Sequence, residues 1–182
     1  NALVKASRKP FFLKDENLLK RINTANDIQV AALLQSVKEE AINFSRKTGY
    51  DFAALAAAYC SPGSAYYHNN LLVEKMQIIN HALASQQSAD GTVNSGNLES
   101  PPDTAFLVEI LSAAAHILAK DNAAQLNTVN AAIRQFLINA GNALTTGGVH
   151  TPNHRWVISA ALARLNALYP SKKYVARIND WL

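Results

Sequence analysis

A single cysteine in 182 residues excludes an intrachain disulfide. Cys60 closes an Ala-rich run, where a small buried hydrophobe is the expected role. The lack of disulfides leaves export open, because a chain of this length can bury a substantial core without them. Its uninterrupted apolar stretches are too short to cross a bilayer, so no membrane span is expected. No signal-peptide pattern and no initiator Met open the chain, and Asn1 is expected to follow a removed leader or a cleaved tag. Phosphate loop, nucleophile elbow and dinucleotide fingerprint are all missing. His68, His81, His116, His150 and His154 show no ligand spacing with Cys60 or with carboxylates, so neither a metal nor another cofactor is expected.

Charge of one sign is also scarce. The net charge of +4 is spread along the chain, apart from a basic bias at Lys5, Arg8, Lys9, Lys14, Lys20 and Arg21. That bias reads as a solvated helix face. A nucleic-acid partner would want a basic stripe with interleaved aromatics, and none is present. The charge permits a polyanionic sugar without requiring one.

What is abundant is Ala and Leu. Residues of the apolar class make up 49% of the chain, against only seven Gly and six Pro. Ala and Leu are among the best helix formers, so an all-α fold is expected, as one domain over residues 1–182. The periodicity predicts a short helix from Phe11 to Ile22, a break at Asn23–Ala25, and a helix closing near Thr48-Gly49. Asp51 should then cap Phe52–Tyr59, with Ser61-Pro62-Gly63 as a break. Further helices are expected over Tyr66–Gln87, from Asp103 to Lys120, over Asn122–Leu144, over Asn153–Leu168 and from Lys172 onward. The longer polar connections, Ser88–Pro102 and Thr145–Pro152, alternate with short ones. In an array of antiparallel helical hairpins that alternation puts both on one rim.

Those two connections hold the informative side chains. The first carries Asn94, Asn97, Glu99 and Asp103, the amides and carboxylates that hydrogen-bond hydroxyls. Asp103 also suits a plain N-cap, and Asp90-Gly91 a plain turn. The second places His150, Asn153, His154, Arg155 and Trp156 within seven residues at a helix start. Trp156 fits a pyranose platform or a core position. Arg155 fits a carboxylate clamp, His154 a proton shuttle, and Asn153 a cap or a ligand group. Tyr66 and Tyr67, beside His68, fit either boundary residues or a catalytic acid.

Asp90-Gly91 with Pro102-Asp103-Thr104-Ala105-Phe106, and Asn153-His154-Arg155-Trp156, resemble stretches of the (α/α) toroid carbohydrate-active enzymes. These comprise heparinase II/III-like and alginate-lyase-like polysaccharide lyases and six-hairpin glycosidases. The likeness covers Asp90 to Leu168. The lyase pattern has a further Asn where this chain has Pro152. The resemblance implies an incomplete (α/α) toroid of antiparallel helical hairpins, as the N-terminal part of a longer enzyme whose remaining domains are partners. It also implies a periplasmic or extracellular bacterial location and an oligo- or polysaccharide substrate, anionic for a lyase. In a uronate lyase, Asn153 would neutralise the carboxylate and His154 would be the base, with Tyr67 as a candidate acid. Asn94, Asn97, Glu99, Asp103, His150, Arg155 and Trp156 would bind substrate. A glycoside hydrolase would use Glu99 or Asp103 instead. A non-catalytic helical glycan-binding or interaction domain is the reading from a different class. The chain ends inside an apolar helical pattern, so an exposed apolar face is expected near Leu182.

Overall fold

Hydrogen bonds between helices that are two apart in sequence reveal the architecture. The computed structural model describes residues 15–37, 42, 45–94, 99–146 and 151–182. These form α1 (Glu16–Ser36), α2 (Arg46–Cys60), α3 (Asn70–Gln86), α4 (Pro101–Leu118), α5 (Asn127–Leu144), α6 (Pro152–Leu168) and α7 (Lys172–Trp181). Among the described residues no strand forms, and only the isolated bridges Gln87–Val93 and Asn94–Glu99 occur.

Along α3 and α5, Asn80 donates to the Val129 carbonyl and Gln87 to that of Phe136, so these helices run parallel. Tyr174 beside Gly141, and Arg177 donating to the Thr146 carbonyl, carry the same direction into α7. In the other set, Arg46 pairs with Asp103 near the starts of α2 and α4, while Cys60 and Ile117 share a cavity wall near their ends. Glu109 pairs with Arg164 across α4 and α6, and His116 lies with Leu168 further along. Helices α2, α4 and α6 therefore pack side by side, with α1, α3 and α5 in a second row. Each connection must cross from one row to the other. Residues 87–94, 99–100, 145–146 and 151 accordingly lie on one edge, together with the N-terminal ends of α4 and α6. The α2–α3, α4–α5 and α6–α7 turns lie on the opposite edge.

The core between the rows includes Phe52, Leu55, Tyr59, Leu72, Met76, Ile79, Leu111, Leu118 and Ile133, all essentially inaccessible. Each such side chain contributes about 1.5–3 kcal/mol of hydrophobic stabilisation. Cys60 is half-buried at its margin. Burial, and then the nearby Asp121 charge, push its thiol up to about 11, which leaves it protonated at neutral pH.

Several boundaries differ from the sequence pattern, each for a tertiary reason. Helix α1 runs unbroken through Asn23–Ala25, because the polar residues there face neighbours instead of capping. Asn26 donates to the Ala54 carbonyl, Asn23 accepts from Ser61, and Asp27 accepts from Ser64 and from the Ala65 amide. Phe11–Lys14, the expected start of that helix, lies outside the described residues.

Thr48-Gly49 belongs to the first turn of α2, where Ser45 and Thr48 form a capping box. Gly49 is there for closeness: a Cβ would sit 2.6 Å from Leu107 Cδ1 on α4. Asp51 is within α2 and pairs with Lys47 one turn earlier. Helix α3 starts at Asn70, capped by Asn69, because Tyr66–His68 form a turn. Ser100, not Asp103, caps α4. A 3-10 turn, Ala124–Leu126, precedes α5. Near the C-terminus, Val175 and Leu182 are exposed while Tyr174, Ile178 and Trp181 pack inward.

Candidate functional site

The α3–α4 connection is built by side chains that replace missing backbone partners. Gly91 has φ +97°, and a Cβ there would collide with the Asn139 carbonyl on α5. Asp90 accepts from the Thr92 hydroxyl and amide, and these bonds hold its carboxyl below the usual range. Gln87 donates to the carbonyls of Gly91 and Phe136 and accepts from Asn139. Buried Thr104 closes the far side, donating to the Ser100 carbonyl and accepting from the Val93 amide. The loop is thus pinned to α4 and α5, which fixes where its exposed residues point.

Those exposed residues include Asn94 and Glu99, opposite each other across an isolated bridge. Glu99 also accepts from the Ser88 hydroxyl. Asn97 falls outside the described residues, as does His150 in the second loop. Asp103, in the first turn of α4, is held by Arg46 of α2, whose guanidinium lies 4.3 Å over the Phe106 ring. Its cap role passes to Ser100, so the Asp103 carboxylate is a surface group in an ion pair.

On α6, Pro152 occupies the first turn and Thr151 the cap position. Thr151 donates to Asn153 Oδ1 at 2.6 Å, so Asn153 is not the cap. Trp156 is 65% exposed, which removes the core alternative for it. His154 is half-buried and Arg155 exposed beside it. The Glu109–Arg164 pairing sets the register of α4 against α6. On that register Asp103 is level with Ile158, and Arg155 and Trp156 stand within about one turn of it.

Sequence reasoning missed Tyr50. It is 62% exposed in the early turns of α2, on the same edge as Asp103 and Trp156. Its signal was hidden because residues 45–50 read as the end of a helix and not as a beginning.

Tyr67 is not part of this group. It sits on the turn before α3, at the opposite edge, separated from His154 by about one helix length, roughly 25 Å. Together the described residues of the first edge offer the exposed indole of Trp156, the exposed phenol of Tyr50, the amides of Asn94 and Asn153, the His154 imidazole, the guanidiniums of Arg46 and Arg155, and the carboxylates of Asp90, Glu99 and Asp103. Among the described residues no cluster of His, Cys, Asp and Glu suits a metal ion, and no helix is long and apolar enough to cross a membrane. No family model, curated protein or solved structure matches the chain.

Proposed function

We propose that this chain is part of a secreted polysaccharide-processing enzyme of the (α/α) toroid type, acting on a uronate-containing polymer by β-elimination. The observation that carries the reading is the exposure of Trp156 on the same helical turn as Asn153, His154 and Arg155. An indole with half or more of its surface in water is costly to keep unless a partner covers it, and the apolar face of a pyranose is such a partner. The positive end of α6 adds to Arg155 in favouring a carboxylate.

In the proposed reaction the uronate carboxylate lies against Asn153 and Arg155. Their contacts stabilise the enolate-like charge that develops as C5 loses its proton. His154 takes that proton. The leaving glycosidic oxygen must then be protonated, and Tyr67 is too distant to do so. Tyr50 shares the first edge but stands on α2, with α4 between it and α6, so it too is no neighbour of His154 and the acid must come from another group.

Product chemistry tests the reading. Elimination leaves a double bond that absorbs in the near ultraviolet, whereas hydrolysis gives saturated ends. In the full-length enzyme, His154→Ala should lower turnover about 10²-fold or more. Full activity of that variant would remove the base assignment. Saturated products would favour a glycoside hydrolase, a reading supported by Glu99 and Asp103 on the same edge.

A further inference from the structure

At the second edge, His68 is held in the left-handed region at φ 52° by Asp121 and by stacking between Tyr59 and Tyr67. That contact ties turns together. A different feature lies between the two edges, on the outer side of the row formed by α2, α4 and α6. There α4 and α6 flank a cavity of about 400 Å³. A space of that size suits a small molecule and not a docked helix.

Its walls are aliphatic, with Ala113 and Ile117 from α4 and Ala167 and Leu168 from α6. The two alanines are exposed, and Ile117 and Leu168 are half-buried. Neither Phe, Tyr nor Trp lines the cavity, so a sugar ring finds no platform in it.

Three polar side chains share the same walls. Ser112 is 2% exposed, and its hydroxyl has no hydrogen-bond partner among the described residues. Such buried groups are rare in folded proteins and call for an explanation. His116 lies one turn further along the same side of α4 and is exposed. Arg164 gives its Nε to Glu109 at 3.2 Å, which leaves its terminal Nη groups for another acceptor. No carboxylate lines the cavity itself, so nothing in its walls attracts a cation.

We infer that this cavity between α4 and α6 is a binding site for an aliphatic monocarboxylate of medium chain length. The planar fork of Arg164 suits a carboxylate, which accepts two parallel hydrogen bonds from it. The chain of the ligand then covers Ala113, Ile117, Ala167 and Leu168, and Ser112 gains the partner it lacks. From the level of Glu109 to that of His116 is about two turns of α4, roughly 10 Å, and this sets the length of the ligand. The site does not depend on the reaction proposed for the first edge, because Arg164 stands about 12 Å along α6 from Trp156.

Calorimetric titration of this chain with octanoate, acetate, octylamine and tri-galacturonate tests the site, with the His116 ring resonances read alongside. Octanoate should bind saturably and shift the His116 ring, whereas acetate and octylamine should bind at least about 10-fold more weakly. Arg164→Gln should weaken octanoate binding about 10-fold or more, and Ser112→Ala by a smaller factor. Glu109→Gln removes the same ion pair but keeps the guanidinium, so octanoate binding should be retained. That contrast separates a lost anchor from a lost pairing of α4 with α6. Ala167→Leu fills the groove and should abolish binding, while its thermal midpoint shows that the fold persists. Tri-galacturonate, the probe for the first edge, should not displace octanoate. The site is overturned if octanoate partitions without saturation, if octylamine binds equally well, or if Arg164→Gln or Ala167→Leu binds undiminished. Displacement by tri-galacturonate would also overturn it, by placing the carboxylate on the first edge.

Discussion

The two edges of the helix array are held by different physics. At the first edge the connection between α3 and α4 is stitched mainly by neutral groups: Thr104 to Ser100 and Val93, and Gln87 to Gly91, Phe136 and Asn139. At the second edge a strained histidine is clamped between two turns by a carboxylate and two rings. Local hydrogen bonds fix a loop against its own flanking helices. A clamp between distant turns instead ties together α2, α3 and α4, so its loss should loosen several elements slightly.

The largest effect should come from the first edge. Gly91→Ala combines a positive φ with a collision against the Asn139 carbonyl, and neither can relax cheaply. A loss of about 3 kcal/mol in urea denaturation is expected, without loss of helix content in the folded state. A loss under about 0.5 kcal/mol would mean that the loop does not pack on α5 as described.

Next in size is Thr104→Val. It leaves the buried Val93 amide without its partner, while the Ser100 carbonyl keeps the Thr104 amide, and should cost about 2 kcal/mol. If the cost is near zero, the neutral stitching is not what orders this edge.

At the second edge Asp121→Asn should cost less, about 0.5–1 kcal/mol, because His68 is 42% exposed and water screens the pair. Amide exchange should nevertheless quicken in both turns at once, the signature of a clamp. Faster exchange confined to residues 119–123 would make it a local contact only.

The smallest effect is on the acid limb of stability. Burial alone would raise the Asp121 carboxyl, but the Ala123 amide and His68 outweigh it and hold the group low; Thr92 does the same for Asp90. For a carboxylate with a depressed folded-state value, the stabilisation is present above the unfolded value near 4. It is lost as the pH falls through the folded value. Stability should therefore decline below about pH 4, and Asp121→Asn and Asp90→Asn should each flatten that decline. Denaturation midpoints between neutral and acid pH read it directly. Unchanged slopes would show that neither carboxylate gains from folding.

Much of the candidate site was legible because its members are close in sequence. Asn153, His154, Arg155 and Trp156 fall on one turn, so any helix that begins there brings them to one end, although successive side chains point about 100° apart. Trp156 itself was ambiguous between core and surface, since an apolar side chain at a helix start is compatible with either. Tyr50 was missed because Thr48-Gly49 reads as a helix end, whereas the glycine serves the approach of α4. Tyr67 was grouped with the wrong edge because residue type was informative and position was not. The clamp was illegible altogether, since Tyr59, His68 and Asp121 lie on three elements spanning more than sixty residues.

By itself, the sequence determined the helices and most of their breaks, because Ala- and Leu-rich periodicity and the Pro, Gly and Asn punctuation act over a few residues. It also determined that the described residues of the α3–α4 and α5–α6 connections share an edge, since alternating antiparallel helices must return each second connection to the same side. Only the tertiary structure decided that α1 runs straight through Asn23, that Ser100 caps in place of Asp103, and that Tyr67 faces away from His154. The physical reason is the same in each case. A polar side chain has several partners of nearly equal strength within its own segment, and the packing of a distant helix selects among them.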